Sequence, residues 1–182
     1  TGGTVFVPDA AVDTGPIVMQ KRGGEIEDTD TAASLYFGKL YPLGVEAMVE
    51  AVATVDGGRA RAEPQDDARA TFQGLVTDAV ARIDWGRSAV EIDRLVRGCD
   101  PSPGAFCLRA SGEPVRLFDA RLVAGAGGAE PGAVIGLEEG RLLLAARGGR
   151  VSIGKLRVAG GAKEAAAAAF AGGGLEAGER LR

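Results

Sequence analysis

Gly3-Thr-Val-Phe-Val-Pro-Asp-Ala-Ala-Val-Asp-Thr-Gly-Pro-Ile-Val-Met-Gln20 divides into four physical pieces. Thr4–Val7 and Ile17–Gln20 are short apolar runs rich in β-branched residues, and both read as strands. Between them lie an acidic loop, Pro8–Asp13, and a Thr14-Gly15-Pro16 turn that returns the chain. Such a loop is where chemistry sits, because strands hold its ends and Gly15-Pro16 fixes the backbone beyond Asp13. Asp13 is therefore the first candidate for a reacting carboxylate, expected between two buried strands. On residues alone, the commoner role of an Asp beside Gly is to accept from the N–H groups of its own turn.

Working outward, Lys21–Glu27 continues extended, and Asp28-Thr-Asp-Thr31 supplies hydroxyls and carboxylates that suit a helix start. Leu35, Met48, Val49 and Val52 then recur at spacings of three and four, which predicts a helix over Ala32–Val55 with those residues on the packed face. Pro42 interrupts the pattern and predicts a kink or two consecutive helices. Gly57-Gly58 ends it. Arg59–Thr77, with Glu63-Pro-Gln-Asp-Asp67, has no apolar period and reads as a surface linker.

The second half changes character. Ser88 followed three places on by Glu91 is a capping box, so a helix is expected from Ala89, with Ala89, Ile92 and Val96 on one face. Gly98 reads as its left-handed stop and Pro101 forbids continuation. Trp85, the sole Trp, is expected to pack beneath this helix. Short apolar runs follow at Phe106–Leu108, Val115–Phe118, Leu122–Val123, Ala133–Leu137, Leu142–Ala146 and Val151–Val158, bounded by Gly, Pro or charges. That spacing predicts a small antiparallel barrel or sandwich. Ala162–Phe170 is Ala-rich and has strong helix propensity.

The 182 residues, 46% hydrophobic and 25% charged, suit one ordinary domain or two small ones. No apolar run nears the roughly 20 residues that span a bilayer, and no secretory leader is expected; a cytoplasmic location is expected from the two thiols alone. Cys99 and Cys107 are too few for a disulfide scaffold, and with no His they make no zinc set, so reduced thiols and no metal are expected. The Gly-Gly pairs lack the spacing of a phosphate-binding fingerprint. Residues 1–80 carry six basic and thirteen acidic side chains, and residues 81–182 carry fifteen and twelve, so −7 faces +3. Eight of the basic residues (Arg109, Arg116, Arg121, Arg141, Arg147, Arg150, Lys155 and Arg157) fall on the expected strands and turns. They suit a polyanion or a solvated exterior alike, and scarce aromatics disfavour base stacking.

Val12-Asp13-x-Gly15-Pro16-Ile17 resembles the acidic loop of the 10-formyltetrahydrofolate-dependent formyltransferases, of methionyl-tRNA formyltransferase or formyltetrahydrofolate dehydrogenase hydrolase-domain type. The likeness continues in that family's order. Pro64-Gln65 with Ala70-Thr71-Phe72 resembles its linker, and Ile83-Asp84-Trp85 through Pro103-Gly104-Ala105-Phe106 its C-terminal domain opening. Pro131-Gly132-Ala133-Val134 and Leu175–Leu181 resemble its later strand start and closing turn, while the run from Leu35-Tyr36 to Tyr41-Pro42-x-Gly44-Val45-x-x-Met48-Val49 resembles the dehydrogenase branch at least as well.

The resemblance implies an α/β remnant over 1–60 (the last strands and helix of a Rossmann-like formyltransferase domain), a linker over 61–79, and an OB-like barrel with flanking helices over 80–182. It implies that Asp13 is catalytic and that Pro8, Asp9, Ala10, Ala11 and Val12 line the folate pocket; Asp9 on its residues equally suits a turn cap. The formyl donor would be 10-formyltetrahydrofolate. The acceptor would be an amine, most like methionyl-tRNA, with initiator tRNA as partner at the basic barrel surface. Water, an amino sugar or a hydroxyornithine are the alternative acceptors. A non-enzymatic RNA- or protein-binding role is the reading from another class. The family also uses an Asn and a His upstream. This chain has no His, so it is expected to begin inside the catalytic domain and to be inactive alone.

Overall fold

In a computed structural model, which describes residues 1–125 and 128–182, the opening apolar runs form β1 (Gly2–Phe6) and β2 (Ile17–Arg22). They pair antiparallel from Gly2↔Arg22 to Val5↔Met19, with a bulge before Phe6. The chain groups into two compact units, Thr1–Gly74 and Leu75–Arg182.

In the first unit, Thr31 caps α1 (Ala32–Leu35) through a capping box with Ser34. Pro42 acts as expected, by a specific route. It has no N–H for the Gly38 carbonyl, and Tyr36–Leu40 widens into a π-helical turn in which Tyr41 N–H donates to the Tyr36 carbonyl. The regular helix α2 then runs Tyr41–Asp56. It packs on β1 and β2, but with a different face from the one expected. Ala47 and Ala51 are buried, whereas Met48, Val49 and Val52 are more than half exposed. Small residues let the helix approach a ribbon only two strands wide, which leaves the larger side chains nothing to cover them. The expected linker is also more ordered than its composition suggests. Glu63 and Ile17 exchange backbone hydrogen bonds at 2.7 and 2.8 Å, and Asp66 caps a 3₁₀ turn over Asp67–Arg69.

The second unit begins with the short α3 (Asp78–Ala81) and α4 (Ala89–Gly98). The capping box is present: Ser88 N–H donates to Glu91 Oε2 at 2.9 Å, and Glu91 N–H to Ser88 Oγ at 3.3 Å. Ala89, Ile92 and Val96 are buried. Gly98 is not the left-handed stop expected of it; the helix passes to a right-handed Cys99 cap (φ −96°). Trp85 lies in the core.

The strands are β3 (Ala105–Leu108), β4 (Pro114–Val123), β5 (Val134–Glu138), β6 (Arg141–Ala146), β7 (Gly149–Val158) and β8 (Glu164–Ala165), followed by α5 (Ala166–Ala171). Two expected runs, Val115–Phe118 and Leu122–Val123, are one strand. Asp119, with a positive φ of 51°, lies between them, and the register against β7 is the same on either side of it. The antiparallel order is β3-β4-β7-β6-β5, with β8 on β7. Leu117, Leu144, Ile153 and Leu156 point into the core against Ile92 and Val96 of α4.

The expectation of a closed barrel is not met. β3 and β5 are the two ends of the path, and no ladder joins them among the described residues. The C-terminal tail occupies both ends instead. Arg182 and Leu108 exchange hydrogen bonds at 2.7 Å, and Val134 N–H donates to Glu179 O at 2.8 Å. Leu181 N–H donates to Gly132 O at 2.9 Å. Gly132 (φ 88°) is required here, since a Cβ would lie 2.5 Å from the Leu181 carbonyl oxygen. No helix among the described residues is long and apolar enough to cross a membrane.

Candidate active site

Pro8–Thr14 is an exposed loop, held from both sides. Val7 N–H donates to the Pro16 carbonyl at 3.0 Å, closing the loop at its base. There Gly15 is buried, and a Cβ on it would lie 1.7 Å from the Val7 carbonyl oxygen. Asp9 closes the loop internally. Its Oδ1 accepts from Ala11 N–H at 3.1 Å, and Thr14 Oγ1 donates to both of its carboxylate oxygens at 2.7 and 2.9 Å. Asp9 thus acts as the turn cap.

Asp13 differs. Its backbone is left-handed (φ 57°), its carbonyl is held by Gln65, and its carboxylate has no hydrogen bond or ion pair among the described residues. It does not lie between buried strands, because β1 and β2 are at most half-buried and the loop projects beyond them. Asp13 lines a cavity of about 850 Å³ with Val12, Thr14, Ile17, Gln20 and residues of the 64–73 segment. Val12 shares that lining, whereas Pro8, Asp9, Ala10 and Ala11 stand outside it. Gln65 is the member that sequence reasoning missed. It was visible only as part of a linker motif, since nothing local reveals a contact fifty residues away.

The eight basic residues expected on the strands and turns of the second unit fall into two sets. Arg109 forms a two-pronged pair with Glu179 at 2.8 and 3.1 Å. Arg116 donates to Gly104 O and to Asp78, Arg141 to Asp119 and Ser152, and Arg150 to Ala124 O. These four cations are structural. Arg147, Lys155 and Arg157 have no ion pair among the described residues, and Arg121 reaches Asp119 only at 4.0 Å. No cluster of three metal-ligating residues exists among the described residues. Cys99 and Cys107 are buried free thiols; burial raises both pKa values, Cys107 most strongly.

Residues 75–174 match the family described as formyl transferase, C-terminal domain. The chain belongs to that family. It is also 35% identical over 182 residues to the methionyl-tRNA formyltransferase of Nitrosomonas europaea, covering 98% of this chain and 55% of that one. The enzyme of the same name from Dechloromonas aromatica is 35% identical, with 100% and 56% covered. The chain therefore spans about half the length of the curated relatives it matches. Among solved structures, HypX from Aquifex aeolicus in complex with tetrahydrofolic acid superposes with a TM-score of 0.76 at 24% identity, covering 92% of this chain and 29% of that one. The N-formyltransferase of Helicobacter canadensis, in complex with folinic acid and dTDP-3-aminofucose, gives 0.64 at 16%, with 84% and 54% covered. At these identities the likeness concerns the fold.

Proposed function

We propose that this chain is the C-terminal part of a formyltransferase that moves a formyl group from 10-formyltetrahydrofolate to an amine, with methionyl-tRNA as acceptor, and that Asp13 is its catalytic carboxylate. The observation that carries the reading is the contrast within one loop. Asp9 is consumed by capping, whereas Asp13 is held by its backbone with its carboxylate free at the edge of a cavity large enough for a folate-sized ligand.

The chemistry suits such a group. When the amine attacks the formyl carbon, negative charge develops on the formyl oxygen and the nitrogen must lose a proton. A carboxylate within reach takes that proton and returns it to N10 as the tetrahedral intermediate collapses and the N10–C bond breaks, releasing tetrahydrofolate, while donors must face the oxyanion until then. No His exists here to serve as such a donor, so the complete enzyme draws donors from outside residues 1–182. A ribbon of two strands under a helix with an uncovered apolar face agrees with a sheet that continues in the complete enzyme.

The same reading assigns 1–60 to the catalytic domain, 61–79 to a linker and 80–182 to an OB-like domain in which the tail stands in for a closing strand. Pro8–Ala11 would reach the folate through backbone groups only. A cytoplasmic site of action follows from that role. Arg147, Lys155 and Arg157, the last lying over the Phe118 ring at 5.8 Å, have no ion pair among the described residues and would meet tRNA phosphates; Arg109, Arg116, Arg141 and Arg150 are committed elsewhere.

The test is turnover by the complete enzyme with 10-formyltetrahydrofolate and Met-tRNA, water or an amino sugar as acceptor. Asp13→Asn should lower kcat by about 10²–10⁴-fold, the range for a positioned proton-transfer group. Full activity in that variant would overturn the assignment, and turnover by residues 1–182 alone would overturn the placing of the oxyanion donors outside them. Preference for water or an amino sugar would move the enzyme to another branch. Lys155→Gln with Arg157→Gln should weaken tRNA binding and flatten its salt dependence by about two phosphate contacts; an unchanged slope would remove that surface.

A further inference from the structure

We propose that Gln65 is a positioning residue for Asp13. The inference rests on the reading of Asp13 as the catalytic carboxylate. The Gln65 side-chain nitrogen donates to the Asp13 carbonyl oxygen at 2.8 Å and to the Gly15 carbonyl oxygen at 2.7 Å. An amide nitrogen has two N–H donors, and both are spent on the carbonyls flanking Thr14. A non-glycine residue at φ 57° costs about 1 kcal/mol or more and persists only where its surroundings determine it. The two Gln65 bonds supply that determination, since they fix the peptide planes on either side of the turn.

Gln65 is itself placed by its neighbours. Pro64 confines Glu63 to extended backbone, and Glu63 pairs with Ile17, at the base of the Asp13 turn. On the other side, Asp66 accepts from Ala68 N–H at 3.1 Å and starts the 3₁₀ turn. The side chain at 65 is thus held between two anchored points. Gln65 also lines the cavity that Asp13 borders. A carboxylate whose own oxygens are unpartnered depends on its backbone for direction, and that backbone depends on Gln65.

The experiment uses the complete enzyme. Gln65→Met preserves length and volume and removes both donors. Its kcat should fall about 10- to 100-fold, the effect of loosening a catalytic group by a fraction of an ångström to an ångström, while KM for the folate donor stays within about twofold and the melting temperature changes little. Gln65→Lys, which keeps N–H donors for the two carbonyls, should recover most of the lost kcat. A Gln65→Met enzyme with kcat within twofold of wild type overturns the proposal, and so does a Lys variant no better than Met. If Gln65→Met does not fold, the Lys variant alone decides, by holding or losing kcat. Asp13→Asn separates the two readings: if that variant keeps its turnover, the assignment of Asp13 fails first, whatever Gln65 does.

Discussion

Replacing Gly15 by Ala should disable the site through a single methyl group. The Gly15 backbone is not left-handed, so the obstacle is space alone. The added Cβ would stand 1.7 Å from the Val7 carbonyl oxygen and 2.9 Å from its carbon. Real Cβ contacts essentially never fall under 3.0 Å, so the two chain ends must separate by at least 1.3 Å, the difference between 3.0 and 1.7 Å. The Val7 N–H to Pro16 O bond, now 3.0 Å, cannot survive that displacement. The Gln65 bond to the Gly15 carbonyl is strained with it. Two hydrogen bonds, one backbone and one from the Gln65 side chain, at about 1 kcal/mol each, with an overpacking cost of about 1–3 kcal/mol, give a local destabilisation of about 3–5 kcal/mol. Asp13 lies two residues away and would shift by a similar distance, which should cost kcat about 10²-fold. Steady-state kinetics on the complete enzyme reads the second effect, and hydrogen exchange at the Val7 amide reads the first. A Gly15→Ala enzyme with near-normal kcat and a still-protected Val7 amide would refute the reasoning.

Three further outcomes follow from the second unit. Leu144→Ala empties a fully buried site on β6 and should cost about 2–5 kcal/mol in urea unfolding, with an unchanged slope. The Ser88 hydroxyl, and then its N–H, hold the Glu91 carboxylate below its ordinary value of 4.5. The folded form therefore binds this proton more weakly than the unfolded one, and the associated stability is present above pH 4.5 and is lost as pH falls through the depressed value. Glu91→Gln should remove that acid-side slope in melting-temperature measurements, while leaving the helix folded at neutral pH. Burial raises both thiols, Cys107 above Cys99, so iodoacetamide should label neither in the native protein at pH 8 and both in urea.

What could be read from the chain depended on the range of the interactions involved. The Ser88–Glu91 box, the Pro42 interruption and the apolar face of α4 are effects of residues three or four apart, and each was legible. The α2 face was misread for a physical reason. Periodicity marks apolar stripes but not which stripe is covered, and here Ala47 and Ala51 meet the ribbon while Val49 and Val52 do not. The Gly98 stop failed similarly, since a Gly can end a helix by either hand and here the helix ends on a right-handed Cys99 whose N–H donates to the Leu95 and Arg97 carbonyls. Closure of the sheet lies beyond any local pattern. Short runs predict strands, but whether β3 meets β5 depends on a tail that pairs with Leu108 from seventy-odd residues away.

The candidate site shows the same division at smaller scale. Asp9 and Asp13 sit four residues apart in one acidic loop, and composition gives no reason to tell them apart. Their difference arises from the partners. Thr14 and the Ala11 N–H lie within reach of Asp9 and engage both of its oxygens, the turn cap that its residues already suited. Among the described residues Asp13 is held by Gln65, which follows α2 in the chain, and by its backbone rather than its carboxylate. A segment that composition marks as a linker is therefore what aims the loop. Binding energy invested in the backbone leaves the carboxylate unspent, and an unspent carboxylate at a cavity edge is what proton transfer requires. Function in this half of the chain should accordingly be more sensitive to Gln65 and Gly15, which set the backbone of the Asp13 turn, than to Asp9, whose carboxylate caps its own loop.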